Sequence, residues 1–345
     1  MLNVEGRLVY GAEHNQFRDS VRRFLERELL PNYARWEQQG IVDRAFWKAS
    51  GEAGLLCPTA PEEYGGLGLD FRYNAVIDEE IAYAGATLGI SLQSDITVDY
   101  ILHYGSEAQK RRYVPAMIAG DLIVAIAMTE PGAGSDLQGV RTTARRDGDS
   151  YVINGSKIYI TNGQNADLII VVARTGDAGA KGISLVLVEA DRDGFKRGRN
   201  LDKIGQHSGD TSELFFEDVR VPAENVLGQE GAGFGYLMNQ LAQERLSIAV
   251  SAQAGAQRAF DEAVRFTRSP RLRQDRIRFP ELPLHAGGLE SEAAGGLGAP
   301  GLGARSPHQE AAHGGGSVGS QILAHRDAVG GDGRRAVAAW RLPAT

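Results

Sequence analysis

Cysteine is nearly absent: Cys57 is the only one in 345 residues. That excludes a disulfide framework and a cysteine-based zinc site, and it fits a reducing compartment. No apolar run is long enough to span a bilayer, and the start, Met1-Leu2-Asn3-Val4-Glu5-Gly6-Arg7, lacks the basic segment and apolar run of a signal peptide. The cytoplasm is therefore the expected location, with no membrane partner. Positive charge is in deficit. Lysine and arginine number 37 against 44 acidic residues, a net charge of −7. This argues against nucleic acid or an anionic membrane as a general partner, while leaving room for a local basic patch facing a phosphorylated ligand. What is present is 42% hydrophobic and 23% charged residues, the balance of a globular chain with two or three domains.

The first third carries helical spacing. Phe17, Val21, Phe24 and Leu25 recur on one side with Arg22, Arg23, Glu26 and Arg27 on the other. Pro31 marks an expected boundary. Further helices are expected around Phe46-Trp47, over Tyr73 to Ala84, and from Glu107 through Met117 to a close at Gly120. From about Ile123 the period changes. Tyr151 to Ile160 reads as a hairpin turning at Asn154-Gly155. Asp167 to Ala173, Ile183 to Val188 and Leu214 to Val221 read as strands, together a small barrel or a sandwich. Helical spacing resumes at Gly233, through Leu237, Leu241, Ile248 and Ala252.

Two segments carry chemistry. Ala127-Met128-Thr129-Glu130-Pro131-Gly132-Ala133-Gly134-Ser135-Asp136 gathers hydroxyls, carboxylates and glycines in one loop. Gly132 and Gly134 permit positive φ and close approach to a ligand, and Pro131 stiffens the turn. Such a loop suits a phosphate or the polar edge of a flat heterocycle. Ordinary turn capping is the bland alternative for Thr129 and Ser135. In Lys157-Ile158-Tyr159-Ile160-Thr161-Asn162-Gly163, an aromatic and a hydroxyl stand two residues apart. On a regular strand both face one side and meet the same flat ligand.

Met128 to Asp136, Asn154 to Gly163 and Leu214-Phe215-Phe216-Glu217-Asp218-Val219-Arg220-Val221-Pro222 resemble, in that order, signature segments of the acyl-CoA dehydrogenase family. The resemblance covers residues 10 to 268. It is closest to the long-chain branch through Met128 to Gly139, Asp210 to Pro222 and Gln243-Glu244-Arg245-Leu246. It implies an α+β fold with an N-terminal helical domain (1–122), a middle β-barrel domain (123–232) and a truncated C-terminal helical domain (233–268). It also implies bound FAD, an acyl-CoA substrate, electron-transfer flavoprotein as acceptor, and a homotetramer or dimer where the C-terminal domain is intact. Met128 and Thr129 would meet the flavin's pyrimidine edge and Thr161 its N5. Tyr159 would cover the ring, where many relatives have tryptophan. Gly134 and Ser135 would line the CoA and pyrophosphate region.

The reaction implied is α,β-dehydrogenation: a carboxylate takes the α-proton and the β-hydrogen leaves as hydride. By resemblance Glu244 is the base and Arg245 supports the site. The alternative is a solvated Glu-Arg pair on a helix face. Glu130 is a competing carboxylate, read as a brace for its own loop. An oxidase of the same family is a further alternative. No metal site is expected.

After Arg268 the character breaks. Residues 270–345 hold fourteen glycines and no Lys, Asn, Tyr, Met or Cys. Reading from the second base of each codon, Leu272 onward permits Phe-Gly-Lys-Thr, Phe279 onward Phe-Gln-Asn, and Ala339 onward His-Gly-Gly-Tyr. These are family motifs, in order. The sequence reading is a frameshift near residue 269 followed by an aberrant, disordered tail (269–345), the alternative being a natural tail. A shifted frame would make the chain a truncated, non-catalytic product that holds FAD poorly.

Overall fold

The computed structural model describes Leu2 and residues 9–267; the expected break at residue 269 and its tail lie outside them. Helix α1 (Ala12–Phe24) does not stop at Pro31 as expected. A π-helical turn over Leu25–Leu29 carries the chain into α2 (Leu30–Gln39), with Pro31 in its first turn. Proline removes one backbone donor and crowds the carbonyl four residues back. A widened turn absorbs that misfit without ending the helix. Gly40, at φ 75°, closes α2. Then come α3 (Arg44–Glu52), α4 (Phe71–Tyr83), and α5 (Val98–Tyr104) after a second π-helical stretch, Leu92–Thr97. Helix α6 (Glu107–Ala119) opens on a capping box, in which Ser106 and Gln109 satisfy each other's backbone N–H.

Seven strands follow: β1 (Val124–Ala127), β2 (Thr143–Asp147), β3 (Ser150–Thr161), β4 (Leu168–Arg174), β5 (Ile183–Glu189), β6 (Phe195–Asn200) and β7 (Thr211–Pro222). The helix α7 (Gly233–Thr267) ends the described chain. The strands form one curled sheet in the order β1-β4-β2-β3-β7-β6, with β5 paired to β4. β4 from Leu168 to Ala173 and β5 from Leu185 to Val188 are unbroken apolar runs because both faces are covered. Leu168, Ile170, Val172, Leu185 and Leu187 pack toward Val98, Tyr100, Tyr113, Val114 and Met117 of α5 and α6. Ile169, Val171, Val186 and Val188 pack toward Tyr151, Leu214, Phe216 and Val219 inside the curl. Each such side chain contributes roughly 1.5–3 kcal/mol by leaving water.

The hairpin expected at Asn154-Gly155 is not there. β3 runs straight through it, and the turn lies earlier, at Gly148-Asp149, where Asp147 pairs with Ser150 and Gly148 has φ 60°. Glycine first in a two-residue loop matches the twist of the flanking strands. Asn154 does a different job. At its level two residues of β7 face one of β3, and the bulged Asp218 has φ 51°. The Asn154 side chain caps that bulge, donating to the Asp218 carboxylate and accepting from the Asp218 N–H, both at 2.9 Å.

By compactness the chain divides into two units. The larger, residues 19–74 and 86–244, holds the sheet and the cores above. In the smaller one (of the described residues, Leu2 with 9–18, 75–85 and 245–267), Leu2 packs with Tyr83 and Ala254. There the buried Arg18 spans the carboxylates of Glu79 (2.7 Å) and Glu80 (2.8 Å).

Candidate active site

The signature loop leaves the end of β1 and is stitched to β3. Glu130 and Ala133 exchange backbone hydrogen bonds of 2.8 and 3.1 Å around Pro131-Gly132. Neither Gly132 nor Gly134 uses the positive φ that glycine permits. A turn with proline in its second position needs no left-handed residue in the third. A Cβ at either glycine would have nothing within 4 Å, so within this chain glycine relieves neither strain nor crowding. Asp136 caps locally, accepting from the Gln138 N–H at 3.1 Å.

Glu130 braces the loop, as the sequence reading held. Its carboxylate accepts from the N–H groups of Arg141 (2.7 Å) and Thr142 (2.9 Å) and from the Lys157 ammonium (2.8 Å). Lys157, 1% exposed, also donates to the Met128 carbonyl at 3.0 Å. Burial pulls this ammonium down to about 8 against the attraction of Glu130. Burial alone would raise the Glu130 carboxyl, but the charge and hydrogen bond of Lys157 and the bonds from residues 141–142 outweigh it and hold the group below its ordinary value. The next N–H, of Ile158, donates to the Thr129 carbonyl at 3.0 Å. Two consecutive residues of β3 therefore hold Met128, Thr129 and Glu130 in place.

Directly after that stitch β3 bulges. Between the pairs Lys157–Leu214 and Ile160–Ser212, β3 has one residue too many. Tyr159 takes φ 62° and leaves its side chain 65% exposed. Strand alternation, which holds only on an unbroken strand, therefore does not by itself set the relative placement of Tyr159 and Thr161. The half-buried Thr161 returns to the ladder opposite Thr211. Beyond it the buried Asn162 donates to the carbonyls of Gly89 (3.2 Å) and Val124 (3.3 Å), tying this end of β3 to β1. Met128 and Thr129 are half-buried; Gly134 and Ser135 are exposed.

Glu244 lies on α7 and is only 9% exposed. The phenol of Tyr100, fully buried on α5, donates to its Oε1 at 2.8 Å. One residue earlier, Gln243 donates to the Asp95 carbonyl at 3.0 Å and to the Asp99 carboxylate. Burial, with the charge of Asp95 adding to it, pushes the Asp99 carboxyl up to about 7. Burial and the Glu244 charge push the Tyr100 phenol far above its ordinary range. Arg245 is exposed. Tyr100 belongs to the same core cluster as Val124 and Ile126, and Met128 packs against that cluster. The carboxylate's holder and the signature loop are therefore built on one core.

Sequence reasoning had missed Lys157 and Tyr100. Strand alternation was a usable signal for Lys157, since Tyr151 and Ile153 share its face and lie in the inner core. Nothing in the sequence pairs Tyr100 with a residue so far along the chain. Among the described residues no group of three or more His, Cys, Asp and Glu is placed to hold a metal. No helix among them is long and apolar enough to cross a membrane.

A helical layer, a curled sheet and a closing helix, with a buried carboxylate held on the core that carries a glycine-rich loop, define a class, and comparison with known proteins agrees. Residues 11–121 match the N-terminal domain of acyl-CoA dehydrogenases, 125–219 the middle domain and 231–285 the C-terminal domain. The chain is 51% identical over 260 residues to the mitochondrial long-chain specific acyl-CoA dehydrogenase of Sus scrofa, covering 74% of this chain and 60% of that one. An acyl-CoA dehydrogenase from Geobacillus kaustophilus superposes with a TM-score of 0.85 at 43% identity, covering 92% of this chain and 84% of the other. One from Bacillus anthracis, complexed with FAD, superposes at 0.76 with 30% identity, covering 92% and 57%. The chain belongs to the acyl-CoA dehydrogenase family. The C-terminal match runs to residue 285, and the chain spans about 60% of the length of the long-chain relative.

Proposed function

We propose that this chain binds FAD and dehydrogenates acyl-CoA thioesters between Cα and Cβ, with Glu244 as the base. The observation that carries this is a buried carboxylate on α7 joined through Tyr100 to the core on which Met128 packs. The residues fit a flavin. An exposed aromatic ring stands on a bulge next to a stitched loop, with the half-buried Thr129 and Thr161 nearby in the chain. The glycines at 132 and 134 let another molecule approach the backbone closely. Bound there, FAD would supply the hydride acceptor.

The protein's own residues do the rest. Met128, Thr129 and Thr161 would orient the heterocycle, Tyr159 would cover it, and Gly134 and Ser135 would face the pyrophosphate and CoA. Glu244 would remove the α-proton of the thioester, its burial keeping water from competing. Arg245 would assist substrate binding. The proposed domain division is 1–122, 123–232 and 233–268. The proposed substrate class is long-chain acyl-CoA, the acceptor electron-transfer flavoprotein, the assembly a homotetramer and the compartment the cytoplasm, with the buried thiol of Cys57 suited to reducing surroundings.

The test is purification of the full chain with its visible spectrum read before and after palmitoyl-CoA. A flavin band that bleaches with substrate is expected, and Glu244→Gln should keep the band and lose the bleaching by at least about a hundredfold in rate. A colourless folded chain, or a Glu244→Gln variant that bleaches normally, refutes the assignment.

A further inference from the structure

We infer that Tyr100 is the positioning residue of Glu244: the phenol, delivered from α5, fixes the orientation and the ionisation of the carboxylate. This rests on the reading of Glu244 as base.

The contact is made between groups that have little choice. Tyr100 is wholly enclosed and its hydroxyl lies 2.8 Å from Oε1. A buried phenol needs an acceptor and a buried carboxylate needs donors, because water is available to neither. The pair is also held in register. Two consecutive residues of α5, Asp99 and Tyr100, meet two consecutive residues of α7, Gln243 and Glu244. Gln243 reaches back to the Asp95 carbonyl as well, and Gln240 meets His103 Nδ1 at 3.1 Å. Sliding or rotating α7 would break all of these together.

The neighbours explain why a donor is needed. The segment facing this part of α7 brings Asp95, Asp99, His103 and Tyr104 besides Tyr100, and α7 itself brings Gln240 and Gln243. Asp95 and Asp99 are acids, and as charges they oppose the ionisation of another carboxyl nearby. Burial opposes it too. Tyr100 acts the other way, since a donor to the carboxylate favours the charged form. The phenol stays protonated, its own ionisation suppressed by burial and by Glu244, so it remains a donor throughout the reaction.

The experiment compares the full chain with Tyr100→Phe, Tyr100→3-fluorotyrosine and Glu244→Gln. The midpoint of the Glu244 carboxyl is read by infrared difference against Glu244→Gln, which needs no flavin. Deuterium uptake at Cα of palmitoyl-CoA in D2O and palmitoyl-CoA affinity are read alongside. Tyr100→Phe should raise the midpoint by about one pH unit or more and slow α-exchange about tenfold at neutral pH, as expected for one hydrogen bond to a charged group. Affinity should stay within about twofold, since the phenol acts on the base. The fluorinated residue keeps the shape and donates more strongly, so the midpoint should fall; it decides the matter if Tyr100→Phe does not fold. A midpoint unmoved in a folded variant overturns the positioning role while leaving Glu244 as base. Wild-type exchange in Glu244→Gln overturns the base assignment, and the positioning role with it.

Discussion

Removing Lys157 tests whether the signature loop is held by one buried ion pair. In Lys157→Met the Glu130 carboxylate keeps its two backbone donors but loses the ammonium at 2.8 Å, and the Met128 carbonyl loses its donor at 3.0 Å. Both side chains are buried, so the stranded carboxylate cannot turn to water. Breaking a buried pair from one side costs about 3–5 kcal/mol. Glu130→Gln alone should cost less, about 1–3 kcal/mol, because the amide oxygen still accepts from Lys157 and this ammonium, already pulled down to about 8, can shed its proton instead of remaining an unpaired charge. The double variant Lys157→Met/Glu130→Gln removes both charges and should recover part of the loss, leaving a coupling energy on the order of 2 kcal/mol. Equilibrium unfolding of the four chains in guanidinium, followed by circular dichroism, measures it. FAD retention should fall in Lys157→Met, since Met128 and Thr129 are what the pair positions. A coupling below about 0.5 kcal/mol, the size of an exposed pair, would show that the loop is held by its backbone bonds alone.

Asp99 gives a pH signature. Its folded-state pKa of about 7 lies above the ordinary 3.8, so the folded chain binds this proton more tightly. The stabilisation is complete below about pH 4 and is lost as pH rises through 7. Between pH 5 and 8.5 the wild-type chain should lose about 2–3 kcal/mol on this account. Asp99→Asn should show a correspondingly flatter stability profile, and an unchanged slope in denaturant titrations across that range would refute the assignment. Glycines make a contrasting pair. At Gly155, with φ 153°, a Cβ would stand 2.7 Å from the Cα and Cβ of Thr142, so Gly155→Ala should destabilise by about 1–3 kcal/mol. Gly132→Ala has open space around it and should leave stability within about 0.5 kcal/mol while weakening FAD or acyl-CoA uptake; equal effects on melting in both variants would contradict this.

Much of the fold was legible because periodicity reports burial. The apolar runs of β4 and β5, the strand over Leu214 to Val221 and the helix closing at Gly120 stand where their patterns put them. The failures share a cause: a local rule was overridden by a partner far along the chain. Pro31 signals a stop, yet a widened turn and the packing of Trp36 on Phe46, ring centroids 5.0 Å apart, keep the helix going. Asn154-Gly155 has turn chemistry, but Asp218 recruits the asparagine into a bulge. Tyr159 and Thr161 have strand spacing, and a bulge between Lys157 and Ile160 interrupts the regular strand there. Of the candidate site, Glu130 as a brace followed from its place in the loop. The Tyr100 to Glu244 contact did not, because a pairing across 144 residues leaves no local trace.

The two irregularities of the β3–β7 ladder work as a matched set. The first puts an extra residue into β7 at Asp218 and the second puts one into β3 at Tyr159, so pairing before and after them runs in the same register and only Gly155 to Lys157 is displaced. Deleting the surplus residue at either place would leave the pairs on both sides of it as they are and remove only the bulge. Deleting both would make the ladder regular throughout, with Lys157 still opposite Leu214 and Thr161 still opposite Thr211. What each surplus residue provides is therefore a departure from the ladder and not its register: the exposed ring at Tyr159 and the capped left-handed turn at Asp218 exist because each strand is one residue longer than its partner there.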